Sequence, residues 1–93
     1  MIPEDVRKNE MLIAQKRSLR FRAEEKKKSA HEKFHSGDTK GAKQDLSEAR
    51  IFIQEALKKV RQLGEKGISE RTIQDDIEAL WRKVLEEEKD RYI

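Results

Sequence analysis

The stretch AKQDLSEARIFIQEALKKVRQL, Ala42 to Leu63, decides the fold. Its apolar residues Ala42, Leu46, Ala49, Ile53, Ala56, Val60 and Leu63 recur at alternating intervals of four and three, an unbroken heptad seam. That spacing lines them along one stripe of an α-helix, and the stripe calls for a partner helix to cover it. Alanine returns every seven residues with larger aliphatics between. A partner can therefore approach closely, provided it sets small residues opposite Leu46 and Ile53 and larger ones opposite the alanines.

The segment just upstream meets that requirement. In Ser36-Gly37-Asp38-Thr39, Gly37 supplies a left-handed stop and Asp38 a side chain able to cap the next helix, so a short turn joins two antiparallel helices. If Phe34 faces Ala42, the numbers of facing residues sum to about 76 along the hairpin. Ala30 then meets Leu46, Ala23 meets Ile53, and Leu19 lies opposite Ala56 and Leu57. Two layers depart from this: Lys27 falls opposite Ala49 and Lys16 opposite Val60. Their stems can cover apolar surface while the ammonium reaches water, so this edge is expected to be incompletely buried.

Outward from the hairpin, helix one is expected over about 3–35, with Pro3 in its first turn and Glu4 and Asp5 complementing the dipole. It outreaches helix two, expected over 39–63, and Pro3–Met11 overhangs. Val6, Met11, Leu12 and Ile13 are expected to form an interface covered by helix three or by another subunit. Downstream, Gly64 ends helix two and Glu65-Lys66-Gly67 turns the chain. Ser69 reads as an N-cap, with Ile68 and Ile73 placed for a hydrophobic staple. Helix three, about 70–88, carries the stripe Ile73, Ile77, Leu80 and Val84 with Trp81 and Leu85 beside it, and is expected to fray after Leu85 at Glu86-Glu87-Glu88. The fold expected is all-α: a long antiparallel helical hairpin with a third helix, as a three-helix bundle or a helical oligomer, in a single helical domain over 1–93.

Composition agrees. Ninety-three residues support one core, and 44% charged against 34% apolar residues suits long helices with one buried stripe each. The absence of cysteine excludes disulfides, thiolate metal sites and cysteine nucleophiles. No apolar run reaches membrane-span length and the N-terminus lacks the apolar h-region of a secretory signal, so no membrane association and a cytoplasmic location are expected. The charge is uneven: Met1–Lys43 holds 12 Lys/Arg against 7 Asp/Glu, and Gln44–Ile93 holds 10 against 12. The basic half can pair with the acidic half of the same chain or face a polyanion.

Three patterns suggest chemistry. His31-Glu32-Lys33-Phe34-His35 places two histidines one helical turn apart around a glutamate and resembles the H-E-x-x-H motif of the thermolysin-like zincins. That resemblance implies zinc on His31 and His35, water activation by Glu32, and a third ligand at Glu48 or Glu55. Without metal, the same histidines read as a partly exposed pair near a helix C-terminus. Gly67 to Leu80, GISERTIQDDIEAL, resembles the turn and recognition helix of winged-helix repressors of the DeoR type. It implies Ser69, Arg71, Thr72 and Gln74 in a major groove, although Asp75 stands where that family generally has a basic residue. A capped amphipathic helix accounts for the same residues. Finally, Arg17, Arg20, Arg22, Lys26, Lys27, Lys28 and Lys33, with Phe21 among them, form a basic face that can track phosphates or can pair along the helix, as Arg20 with Glu24 or Lys28 with Glu32.

No glycine-rich phosphate loop, nucleophile pair or paired catalytic carboxylates are apparent, so no enzymatic activity, cofactor or small-molecule substrate is expected. The first reading is a small helical protein–protein interaction and assembly module, self-associating or bound to another protein. The second is a small nucleic-acid-binding protein using the basic face of helix one, with the start of helix three assisting as a helix-turn-helix.

Overall fold

The computed structural model describes residues 4–91; the expected helix start at Pro3 and the aromatic Tyr92 lie outside them. Three helices follow in order, α1 Glu4–His35, α2 Thr39–Leu63 and α3 Ile68–Arg91, with no strand among the described residues. The protein is all-α, a helical hairpin with a third helix against it.

The hairpin turn forms as its residues dictate. Gly37 takes φ 89°, and the N–H groups of Gly37 and Asp38 donate to the carbonyls of Phe34 and Lys33 at 3.1 and 2.8 Å, closing the end of α1. The Asp38 carboxylate then accepts from the Gly41 N–H at 2.9 Å and caps α2. At the far end Gly64, φ 71°, stops α2 through its N–H to the Arg61 carbonyl. The register follows the expected pairing: Lys26 meets Glu48 at 2.6 Å, Lys33 meets Asp45 at 3.0 Å, and the Arg22 guanidinium lies over the Phe52 ring. Ala23, Ala30, Ala42, Leu46, Ala49, Ile53 and Ala56 are buried in one core, with Leu19 and Phe34 at its edge. Small residues of α1 let the backbones close onto the aliphatics of α2.

Helix α3 runs antiparallel to α2 and adds Ile73, Ile77, Leu80 and Val84 to the same core. Arg50 fixes it twice, gripping the Glu78 carboxylate with two hydrogen bonds of 2.7 and 2.5 Å and stacking 4.3 Å above the Trp81 ring. Its boundaries differ from those the sequence suggests. It starts at Ile68, its first turn closed by the Arg71 N–H to the Gly67 carbonyl at 2.9 Å, and Ile68 is 72% exposed, so neither the Ser69 cap nor the Ile68–Ile73 staple forms. Gly67 is the cause. With φ 66° and no side chain it sits against Val60, where an added Cβ would come within 2.7 Å of Cγ1, and the chain enters the helix there. The helix also continues past Leu85, because Glu88 finds Lys43 of α2 at 3.0 Å.

Two further expectations are refined. Lys16 and Lys27 do sit at an incompletely buried edge, but their ammonium groups face acids around α3: Lys16 meets Glu65 at 2.8 Å and Lys27 meets Asp76 at 3.5 Å. The four residues of the expected N-terminal interface differ in burial. Leu12 is only 6% exposed and closes the hairpin end near Gln62, Ile13 is half-buried, and only Val6 and Met11 remain exposed. Among the described residues, the face carried back from Leu12 is polar, with Asp5, Lys8 and Asn9 beside Gln62.

Candidate protein-binding surface

The structure takes the basic face of α1 apart. Arg20 turns from Glu24 to Glu70 at 3.5 Å, Lys26 takes Glu48, Lys27 takes Asp76, Lys33 takes Asp45, and Arg22 lies on Phe52. Arg17 and Lys28 remain exposed. The hydrogen bond to Glu48 and its charge hold the Lys26 ammonium above its ordinary pKa. Burial pushes the Asp45 carboxyl up, but hydrogen bonds from Ser29 and Lys33 and the charges of Lys33 and Lys26 outweigh it and keep the group below the usual value. Between α2 and α3, the hydrogen bond from Arg50 similarly lowers Glu78 against the opposing effect of burial. Much of the excess cation of the first half is thereby spent on acids of the second.

His31 and His35 are exposed and stacked, ring centroids 6.1 Å apart. Burial, then the charges of His35, Lys27 and Lys83, lower the pKa of His31. Among the described residues no group of three or more His, Cys, Asp or Glu is placed to hold a metal ion. Both nominated third ligands are engaged elsewhere, Glu48 with Lys26 and Glu55 with Lys58. The start of α3 is likewise differently used. Thr72 donates its hydroxyl to the Ile68 carbonyl at 2.9 Å, Ser69 and Thr72 line a groove towards α1, Arg71 is exposed and Gln74 half-buried. Helices α2 and α3 lie side by side, tied at Arg50–Glu78 and Lys43–Glu88, whereas a helix-turn-helix crosses its pair steeply.

The groove between α1 and α3 is open to solvent, with a volume of about 920 Å³. It exists because α3 leans its apolar stripe on the hairpin core while its flank meets α1 through charges. Glu70, its side chain only 4% exposed, sits between Lys16 at 3.9 Å and Arg20 at 3.5 Å. Its Oε1 has no hydrogen-bond partner and faces these two cations at ion-pair range. Along the groove Phe21 is 61% exposed and Ile68 72% exposed, with Ile73 and Thr72 between the walls and Arg17, Arg20, Lys27 and Asp76 on the rim. Two large apolar side chains exposed on one concavity are a surface that gains by being covered.

In the sequence Phe21 stands as a lone aromatic within a basic cluster, and its exposure on the groove is not evident there. The usable signal was position: Arg17, Ser18, Phe21, Glu24, Glu25 and Lys28 follow helical spacing on a stripe of α1 other than its seam, and all are exposed. Ile68 carried no such signal, because its exposure depends on how Gly67 turns. Searches against protein-family models, curated proteins and solved structures find no match to this chain.

Proposed function

We propose that the protein is a helical interaction and assembly module that associates with further copies of itself through the open α1–α3 side. The observation that carries this reading is the pair Phe21 and Ile68, the two most exposed of the large apolar side chains described, which share one groove while Val6, Met11, Ile51 and Leu85 are exposed elsewhere. Helix-in-groove recognition and helix–helix association both use such a concavity with a charged rim. The use of the cations favours it over nucleic-acid binding. Arg20, Lys26, Lys27 and Lys33 each face an acid of α2 or α3, so fewer of them are free to replace counterions on a phosphate chain. A single exposed aromatic on that face is also a poor stacking platform.

Sedimentation equilibrium from micromolar to millimolar protein tests the reading. A mass that rises with concentration, and rises less for Phe21→Ala and Ile68→Ser, is the expected result. A constant monomer mass across the range refutes self-association. Titration with a generic duplex at low and moderate salt separates the nucleic-acid alternative, for which tight binding at low salt with a steep salt dependence is the signature.

A further inference from the structure

The exposed stripe of α1 has a pattern that answers itself. Ala14, Arg17, Ser18, Phe21, Glu24, Glu25 and Lys28 are all exposed and lie at helical spacing, with Phe21 at the centre. On the N-terminal side of Phe21 the stripe carries Arg17; on the C-terminal side it carries Glu24 and Glu25. When such a helix meets an identical helix running the other way about Phe21, residue 17 of each falls beside residue 25 of the other. Ser18 falls beside Glu24, and the Lys28 stem beside Ala14. The two-fold pairing sets Arg17 against Glu25 twice, whereas a parallel pairing would set Arg17 against Arg17 and the acids against the acids.

Shape points the same way. Phe21 stands between two hollows, the α1–α3 groove with Ile68, Thr72 and Ile73 on one side, and a smaller one bounded by Glu25, Lys28, Ser29 and Glu32 on the other. It is both a knob and the wall of a hole, which an isologous contact requires of a single patch.

We infer that a second copy of this chain docks here by antiparallel pairing of α1 with α1 about Phe21, the Phe21 of each copy entering the α1–α3 groove of the other. This rests on the self-association proposed above and specifies its surface, symmetry and charge pairs. The overlap from Ala14 to Lys28 spans about 21 Å of helix. It is limited beyond those residues, because Glu10 and Glu32 would meet as like charges. A contact of this size, with one aromatic anchor per copy, makes a weak and reversible dimer that responds to salt.

Charge reversal tests the pairing. Arg17 and Glu25 are exposed, so Arg17→Glu and Glu25→Arg are expected to leave the helical circular dichroism unchanged. Each single reversal places like charges at both symmetric contacts and is expected to weaken dimerisation about tenfold in sedimentation equilibrium. The double variant restores opposite charges and is expected to return to within about twofold of the parent. Because the chain has no cysteine, a mixture of Ser18→Cys and Glu24→Cys chains should form a disulfide-linked heterodimer on mild oxidation, in preference to either variant alone. If the parent associates but the double variant stays as weak as the singles, or the cysteine pair does not cross-link preferentially, the antiparallel pairing is wrong while self-association stands. If the parent is monomeric at millimolar concentration, both are wrong.

Discussion

Gly64 and Gly67 form a natural pair for testing how the second turn is built. Both have positive φ, 71° and 66°, so alanine at either position meets the backbone cost of the left-handed region, about 1–2 kcal/mol. Their surroundings differ. An added Cβ at Gly64 has nothing within 4 Å, whereas at Gly67 it lies 2.7 Å from Val60 Cγ1 and 3.4 Å from Cγ2. Val60 is part of the α2 seam and almost fully buried, so it cannot swing away freely. Overpacking of this kind costs about 1–3 kcal/mol. Gly64→Ala should therefore destabilise the protein by about 1–2 kcal/mol and Gly67→Ala by about 2–5 kcal/mol. Urea denaturation followed by circular dichroism measures both, and Val60→Ala closes the cycle. In that background the clash is gone and the added cost of Gly67→Ala should fall to the level of Gly64→Ala. Equal costs for the two glycine variants in the parent protein, or no relief from Val60→Ala, would refute the claim that close approach to Val60 demands glycine at position 67.

Other expectations follow from single residues. Ile77→Ala removes a fully buried side chain where α3 joins the hairpin and should cost about 2–5 kcal/mol by denaturant titration. Phe21→Ala, at an exposed position, should change monomer stability by less than about 0.5 kcal/mol while reducing association in the same sample. Asp45 has a lowered pKa in the folded chain, so its contribution is complete above the ordinary carboxylate range and is lost as pH falls through the folded value. Asp45→Asn should accordingly destabilise the protein at neutral pH and flatten the acid limb of its stability curve. His31, whose pKa is also lowered, binds its proton more readily when unfolded, so stability falls as pH drops through the ordinary histidine range. His31→Gln should remove that part of the loss, measured as Tm against pH.

The heptad of α2 made the hairpin legible, because seven seam positions at unbroken spacing leave one face to bury and one local partner to bury it. The size rule across layers then gave the register, since Ala23 and Ala30 leave room where Ile53 and Leu46 need it. Asp38, Gly37 and Gly64 were legible as caps for the same local reason. What was not legible depended on the third helix. Lys16 and Lys27 looked like residues reaching for water, and only the position of α3 shows Glu65 and Asp76 waiting for them. The basic face of α1 read as a surface because charge in sequence does not name its partner; its acids lie at Asp45, Glu48, Glu70 and Asp76, far along the chain. Leu12 reads as level with the end of α2 yet is grouped with the interface residues beside it, and its burial within the chain is seen only in the folded structure. The groove was not legible at all, since it is the space left by how α3 leans.

The Gly37–Asp38 turn also sets a folding order. It joins α1 and α2 across a few residues, so the contacts nearest the turn close with little loop entropy and each following seam layer is brought within reach by the one before it. A hairpin that zips from such a point has low contact order and belongs with helical domains that fold in about microseconds to milliseconds. Helix α3 is then expected to dock on the formed seam, which supplies the partners of its charges. Substitutions near the turn, such as Asp38→Ala, should slow folding, whereas those at the α1–α3 ion pairs should chiefly speed unfolding.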